Sequence, residues 1–63
     1  MDFRGKTFWI TGAASGMGRA LSLKLATYQV RLIISDRDEA GLVATAKEIT
    51  SRNSTVRIEP LDM

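Results

Sequence analysis

The stretch Thr11-Gly12-Ala13-Ala14-Ser15-Gly16-Met17-Gly18 decides the fold. Before it, Lys6-Thr7-Phe8-Trp9-Ile10-Thr11 is dominated by β-branched and aromatic residues and runs straight into Gly12. That composition predicts a short buried strand ending in a turn, with Trp9 as a core residue of the strand. After the stretch, Met17, Leu21, Leu25 and Tyr28 recur at spacings of 4, 4 and 3. This periodicity predicts a helix of about three turns with those four residues on its apolar face.

Further along, Val30–Ser35 is the second strand candidate, with Leu32, Ile33 and Ile34 consecutive. A continuous apolar run suggests burial on both faces, as in parallel sheets. Asp36-Arg37-Asp38-Glu39 follows as a charged turn. There Asp38 reads as an N-cap, and Glu39 places negative charge at the positive end of the next helix. That helix turns Leu42, Val43, Ala46 and Ile49 inward, and Ser51-Arg52-Asn53-Ser54 breaks it. Thr55–Leu61 is the third strand, where Pro60 either ends the hydrogen-bonded run or sits at a sheet edge.

The order β-α-β-α-β implies a parallel sheet with right-handed crossovers, and both helices then lie on one face. Side chains alternate along a strand, so Trp9 and Ile33 point to the opposite, bare face. Two unpaired sheet edges add to that exposure. We therefore expect an α/β chain of the Rossmann type, the incomplete first half of a doubly wound parallel sheet. Residues 1–63 would be the N-terminal part of one such domain, with no second domain.

The glycine-rich turn carries the chemistry. Glycines let a backbone turn tightly and approach a pyrophosphate, and a helix N-terminus adds free N–H groups and partial positive charge. A bare glycine triplet reads equally well as a flexible strand-to-helix loop. Context favours a nucleotide site. The turn follows a strand and opens a helix, Asp36 ends the second strand about 20 residues later, and the third strand runs into Asp62.

Thr11, Gly12, Gly16 and Gly18 form Thr-Gly-x-x-x-Gly-x-Gly, which resembles the cofactor signature of the short-chain dehydrogenase/reductase family. Leu61-Asp62 resembles that family's next cofactor element. The resemblance runs along essentially the whole chain, about a quarter of a member of roughly 250 residues. It implies an NAD(P)-dependent oxidoreductase acting on a carbonyl or alcohol carbon, with a homo-oligomeric parent. It also implies roles. Gly12, Gly16 and Gly18 shape the turn, and Ser15 and the Met17 backbone contact phosphate. Asp36 binds the adenosine ribose, Arg37 flanks the adenine, and Asp62 with Met63 holds its far side. Many members have Gly near Gln29 at the end of the first helix, so a left-handed cap there is strained by about 1 kcal/mol.

Asp36 favours NAD, because a carboxylate accepts hydrogen bonds from ribose hydroxyls and repels a 2′-phosphate. Arg37 pulls toward NADP, since a guanidinium pairs with that phosphate. Asp36 stands directly at the strand end, so NAD is the expected cofactor, with NADP as the alternative.

Other classes fit poorly. The chain has no Cys and no His, which removes disulfides and the usual zinc ligands. Nine Lys and Arg against seven Asp and Glu give a charge of +2, and the basic residues are spread evenly. A nucleic-acid binder would cluster them in a stripe. The apolar run Phe8–Ile10 is far short of the roughly 20 residues of a membrane helix. Asp2, Arg4 and Lys6 replace the apolar core of a signal peptide, so a cytoplasmic location is expected. A P-loop is disfavoured because Arg19, not Lys, follows Gly18. A methyltransferase would also use a glycine turn and an acidic residue, but not one headed by Thr11 in this spacing.

The family's Tyr-x-x-x-Lys constellation is absent. Tyr28 is the one tyrosine, followed three and four places on by Arg31 and Leu32, and it reads as a helix-end packing residue. Ser15, Ser22 and Ser35 have no His to activate them. No catalytic residue is therefore assigned. A non-catalytic dinucleotide-binding or regulatory fragment stands as the alternative function.

Overall fold

A computed structural model describes residues 3–61. Its elements are β1 (Thr7–Thr11), α1 (Gly16–Ala26), β2 (Arg31–Ser35), α2 (Glu39–Thr50) and β3 (Thr55–Ile58). The strands form one parallel sheet in the order β1-β2-β3. Asp62 and Met63 lie outside the described residues.

The register sorts side chains into two faces. Phe8, Leu32 and Val56 form one row, and Ile10, Ile34 and Ile58 another. These rows belong to the core beneath the helices, where Leu32, Ile34, Leu42 and Ile49 are fully buried. Each such side chain stabilises the fold by about 1.5–3 kcal/mol relative to exposure. The row between them, Trp9, Ile33 and Arg57, belongs to the other face. Trp9 is 64% exposed there and donates its indole N–H to Ser35 Oγ at 2.8 Å. It is not a core residue among the described residues, because both helices cover the opposite face.

The apolar stripe expected on α1 is not its buried face. Met17 is 89% exposed and Leu21 is also exposed, whereas Ser22 and Ala26 are buried. The reason is closeness. A Cβ on Gly18 would lie 2.6 Å from Gly12 C and harder still against Gly12 O. A helix held that tightly packs through small residues, and Ser22 satisfies its buried hydroxyl by donating to Gly18 O at 2.7 Å. Leu23 and Leu25 pack against the core from the flank.

α2 follows its predicted pattern with one exchange. Leu42 and Ile49 are buried and Ala46 packs beside them, but Val43 is 45% exposed and Thr45 is fully buried instead. Asp38 caps the helix as expected, accepting from Gly41 N at 3.0 Å. β3 is shorter than its predicted span, yet its pairing continues. Glu59 N donates to Ile34 O at 2.9 Å and Leu61 N to Asp36 O at 3.1 Å. Alternation turns the position of Pro60, which has no N–H, toward the open edge, so the proline sits at an edge and does not end the ladder.

The ends of the strands opposite the glycine turn are pinned by Ser54. Its buried hydroxyl donates to Ala26 O at 2.6 Å and accepts from Val30 N at 3.0 Å. Gln29, nearby, adopts φ 57°, the left-handed conformation expected of the α1 cap. Tyr28 packs edge-on against Phe3, with centroids 5.4 Å apart.

Candidate functional site

Because the strands are parallel, Thr11, Ser35 and Ile58 all end at one side of the sheet. The glycine turn and the Asp36–Asp38 loop leave from that side. It is the crevice where open α/β sheets receive ligands. Gly12 and Gly16 have φ values of 69° and 61°, which an L side chain rarely adopts. Gly18 serves a different need, the close approach of α1 to the turn.

The two helix N-termini differ in how they are closed. α2 is closed by the Asp38 side chain and carries Glu39 in its first turn. On α1, Ser15 stands at the N-cap but makes no side-chain capping bond, and the first turn has no acidic residue. The helical backbone bonding begins with Arg19 N on Ser15 O at 3.4 Å. The amides of Gly16, Met17 and Gly18 therefore precede the first intrahelical bond, and no acidic side chain of α1 itself offsets the positive end of the helix dipole. Such an end suits an anion.

Asp36 sits beside this end. Its Oδ2 accepts from Ala14 N and its Oδ1 from Asp38 N, each at 3.1 Å. The bond from Asp38 N, then that from Ala14 N, hold its pKa below the ordinary 3.8. The carboxylate is thus ionised at neutral pH and retains lone pairs beyond those two bonds. Arg37 is exposed next to it.

Ala13 and Ala14 are both buried. Ala13 N donates to Ser35 O at 3.1 Å, and Ala13 O accepts from Thr45 Oγ1 at 3.0 Å. Gly41 packs so tightly on this segment that its Cβ would lie 2.7 Å from Ala14 Cβ. The turn is therefore held by β2 and α2 as well as by its own helix. Sequence reading missed Thr45 and the two alanines. The available signal was a hydroxyl residue standing among the apolar positions of α2, between Leu42 and Ile49.

The structure brings Gly12, Ser15, Gly16, Met17, Gly18, Asp36 and Arg37 to this one side of the sheet. Tyr28 is at the other end of α1, and the hydroxyl of Ser35 is engaged by Trp9. A depression of about 290 Å³ lies elsewhere, lined by Thr7, Arg31, Ile33, Thr55 and Arg57. Thr7, Arg31 and Thr55 open their strands at the ends opposite the glycine turn, and Ile33 and Arg57 lie in the row on the face away from the helices, so that hollow is not part of the glycine-turn side. Among the described residues no helix is long and apolar enough to cross a membrane.

A three-stranded parallel sheet with both crossover helices on one face and a glycine turn at its carboxyl end defines a Rossmann-type fold. The short chain dehydrogenase family model matches residues 6–63, and the chain belongs to that family. It is 41% identical over 62 residues to the putative oxidoreductase SadH of Mycobacterium tuberculosis, covering 98% of this chain and 22% of SadH. It is 38% identical over 55 residues to an L-xylulose reductase of Caenorhabditis elegans, covering 87% of this chain and 22% of that protein. Among solved structures, a short chain dehydrogenase/reductase from Burkholderia phymatum in complex with NAD superposes with a TM-score of 0.88 at 35% identity. That match covers 98% of this chain and 22% of the other. A metagenomic short-chain oxidoreductase in complex with NADP gives a TM-score of 0.90 at 27% identity, covering 98% and 28%. The chain thus spans about a quarter or less of the relatives it matches.

Proposed function

We infer that this chain is the N-terminal part of the single NAD(P)-binding Rossmann domain of an NAD(P)-dependent oxidoreductase, and that it prefers NAD. The observation that carries the reading is the pairing of an uncapped helix N-terminus with an ionised carboxylate one strand away. The residues fit such a cofactor: Gly12 and Gly16 face open space where a Cβ would stand, and the first turn of α1 holds no charge that would repel phosphate.

In this reading the amides of Gly16, Met17 and Gly18 and the hydroxyl of Ser15 bind the pyrophosphate. Asp36 accepts from the adenosine ribose hydroxyls through its remaining lone pairs and repels a 2′-phosphate. Arg37 flanks the adenine, with Asp62 and Met63 on its far side. The bound cofactor supplies hydride exchange with a carbonyl or alcohol carbon. Relatives solved with NAD and with NADP support a nicotinamide dinucleotide as the ligand class.

The test is calorimetric titration of the full-length protein with NAD and NADP, alongside Asp36→Ala. NAD is expected to bind more tightly, and the variant to shrink the NAD-to-NADP affinity ratio at least tenfold, about 1.4 kcal/mol. Equal losses for both cofactors would remove the ribose role from Asp36. No binding of either would remove the reading itself.

A further inference from the structure

Thr45 is fully buried in the middle of α2, yet it carries a hydroxyl where Leu42 and Ile49 carry only carbon. That hydroxyl reaches across 32 residues of sequence to Ala13 O at 3.0 Å. The carbonyl of Ala13 and the N–H of Ala14 are the two polar ends of one peptide unit. Thr45 holds the first, and Asp36 Oδ2 holds the second at 3.1 Å. The preceding peptide is held in turn by Ala13 N on Ser35 O. A peptide plane fixed at both ends cannot rotate without breaking two hydrogen bonds. Rotation of this plane would re-aim the chain that follows it directly, which is Ser15 and the free amides of Gly16, Met17 and Gly18.

We propose that Thr45 is a positioning residue for phosphate binding: with Asp36 it clamps the Ala13–Ala14 peptide and so aims the amides that open α1. The proposal rests on the reading of that turn as the pyrophosphate site. Thr45 touches no ligand. It acts by keeping the donors in place before the ligand arrives, so that no free energy of binding is spent ordering them. The methyl of Thr45 packs in the core and the hydroxyl performs the positioning, which makes the two separable by substitution.

The experiment uses the full-length protein and three substitutions at the site. Thr45→Val keeps the shape and removes the hydroxyl, Thr45→Ala removes both groups, and Thr45→Ser keeps the hydroxyl alone. Ser54→Ala is the control, because it deletes a buried hydroxyl at the far ends of the strands. NAD and ADP are the probes, read by calorimetry, with a thermal melt of each variant. Thr45→Val and Thr45→Ala are expected to weaken both probes about tenfold. Thr45→Ser should stay within about twofold of wild type, a difference of ~0.4 kcal/mol. Ser54→Ala should lower the melting temperature while leaving both affinities in place. If Thr45→Val does not fold, the Ala and Ser variants carry the same comparison.

The proposal is overturned if hydroxyl-free variants bind both probes as wild type does. It is equally overturned if Ser54→Ala weakens binding as much as Thr45→Val, since the effect would then be general loss of stability. A wild-type protein that binds neither NAD nor ADP overturns the nucleotide reading first, and this proposal with it.

Discussion

Gly18→Ala is the most direct perturbation of the turn. The added Cβ would lie 2.6 Å from Gly12 C and 3.1 Å from Thr11 O, and closer still to Gly12 O. Ordinary contact begins at 3.4 Å, so relieving Gly12 C alone requires about 0.8 Å of separation, and Gly12 O requires more. The obstacle is backbone on both sides, so no side chain can swing away. α1 must lift from the turn, or the turn must deform. Overpacking of this kind costs about 1–3 kcal/mol of stability. The loss in binding is larger in proportion. Amide–phosphate hydrogen bonds need 2.7–3.2 Å, and a shift approaching 1 Å takes them out of that range. Losing one such charge-assisted bond, at about 1.5–3 kcal/mol, is expected to weaken NAD by roughly tenfold to a hundredfold. Calorimetric titration measures the affinity, and a urea melt on the same sample separates it from unfolding. A folded Gly18→Ala protein that binds NAD within twofold of wild type would refute the close-approach argument.

Gln29 holds φ 57° and is exposed, and Gln29→Gly keeps the backbone carbonyl that accepts from Gly5 N. Relief of about 1 kcal/mol of left-handed strain, less the roughly 0.4–1 kcal/mol that glycine's unfolded-chain entropy costs, predicts a gain of up to about 0.6 kcal/mol in a urea melt. Asn53→Gly, at φ 66°, should gain less, because Asn already tolerates that region. Asp38→Ala removes the α2 cap and should cost about 1 kcal/mol. For Asp36 the sign follows from its lowered pKa: the carboxylate's contribution is complete above the ordinary 3.8 and is lost as pH falls through the folded value. Amide exchange at Ala14 should accordingly accelerate as pH drops below 3.8, after correction for intrinsic rates, and Asp36→Asn should flatten that dependence.

The element order was legible in the sequence because period and punctuation agreed. The strand–glycine–helix junction at Thr11–Gly18 and the Asp38 cap were readable for that reason. The faces were less so. Hydrophobicity pointed to Met17 and Leu21 on α1, but the helix is seated by Gly18, Ser22 and Ala26, whose value lies in being small. No apolar period reports how near a backbone must come. Val43 and Thr45 exchanged places for a related reason. The buried hydroxyl has a specific acceptor, and only the fold brings Ala13 O to it. Pro60 was ambiguous in one dimension and became plain once Glu59 N and Leu61 N were seen paired on the same side.

The site residues that the sequence displays are those of the turn, but the turn does not hold itself. Gly12 and Gly16 sit in a conformation they tolerate easily, and easily leave, since glycine has the widest choice of alternatives. Restraint comes from partners outside it: Ser35 O, Asp36 Oδ2 and Thr45 Oγ1 on the two alanines, and Gly41 against Ala14 Cβ. All four partners lie on β2, on α2 or in the loop between them. A β-α unit with the same glycines would therefore have the freedom of the turn without its shape. The second crossover supplies the rigidity, and the cap that closes α2 contributes as well, because Asp38 fixes the first turn that sets Gly41 against Ala14. One helix closes its own N-terminus, and by doing so it helps to hold open the N-terminus of the other.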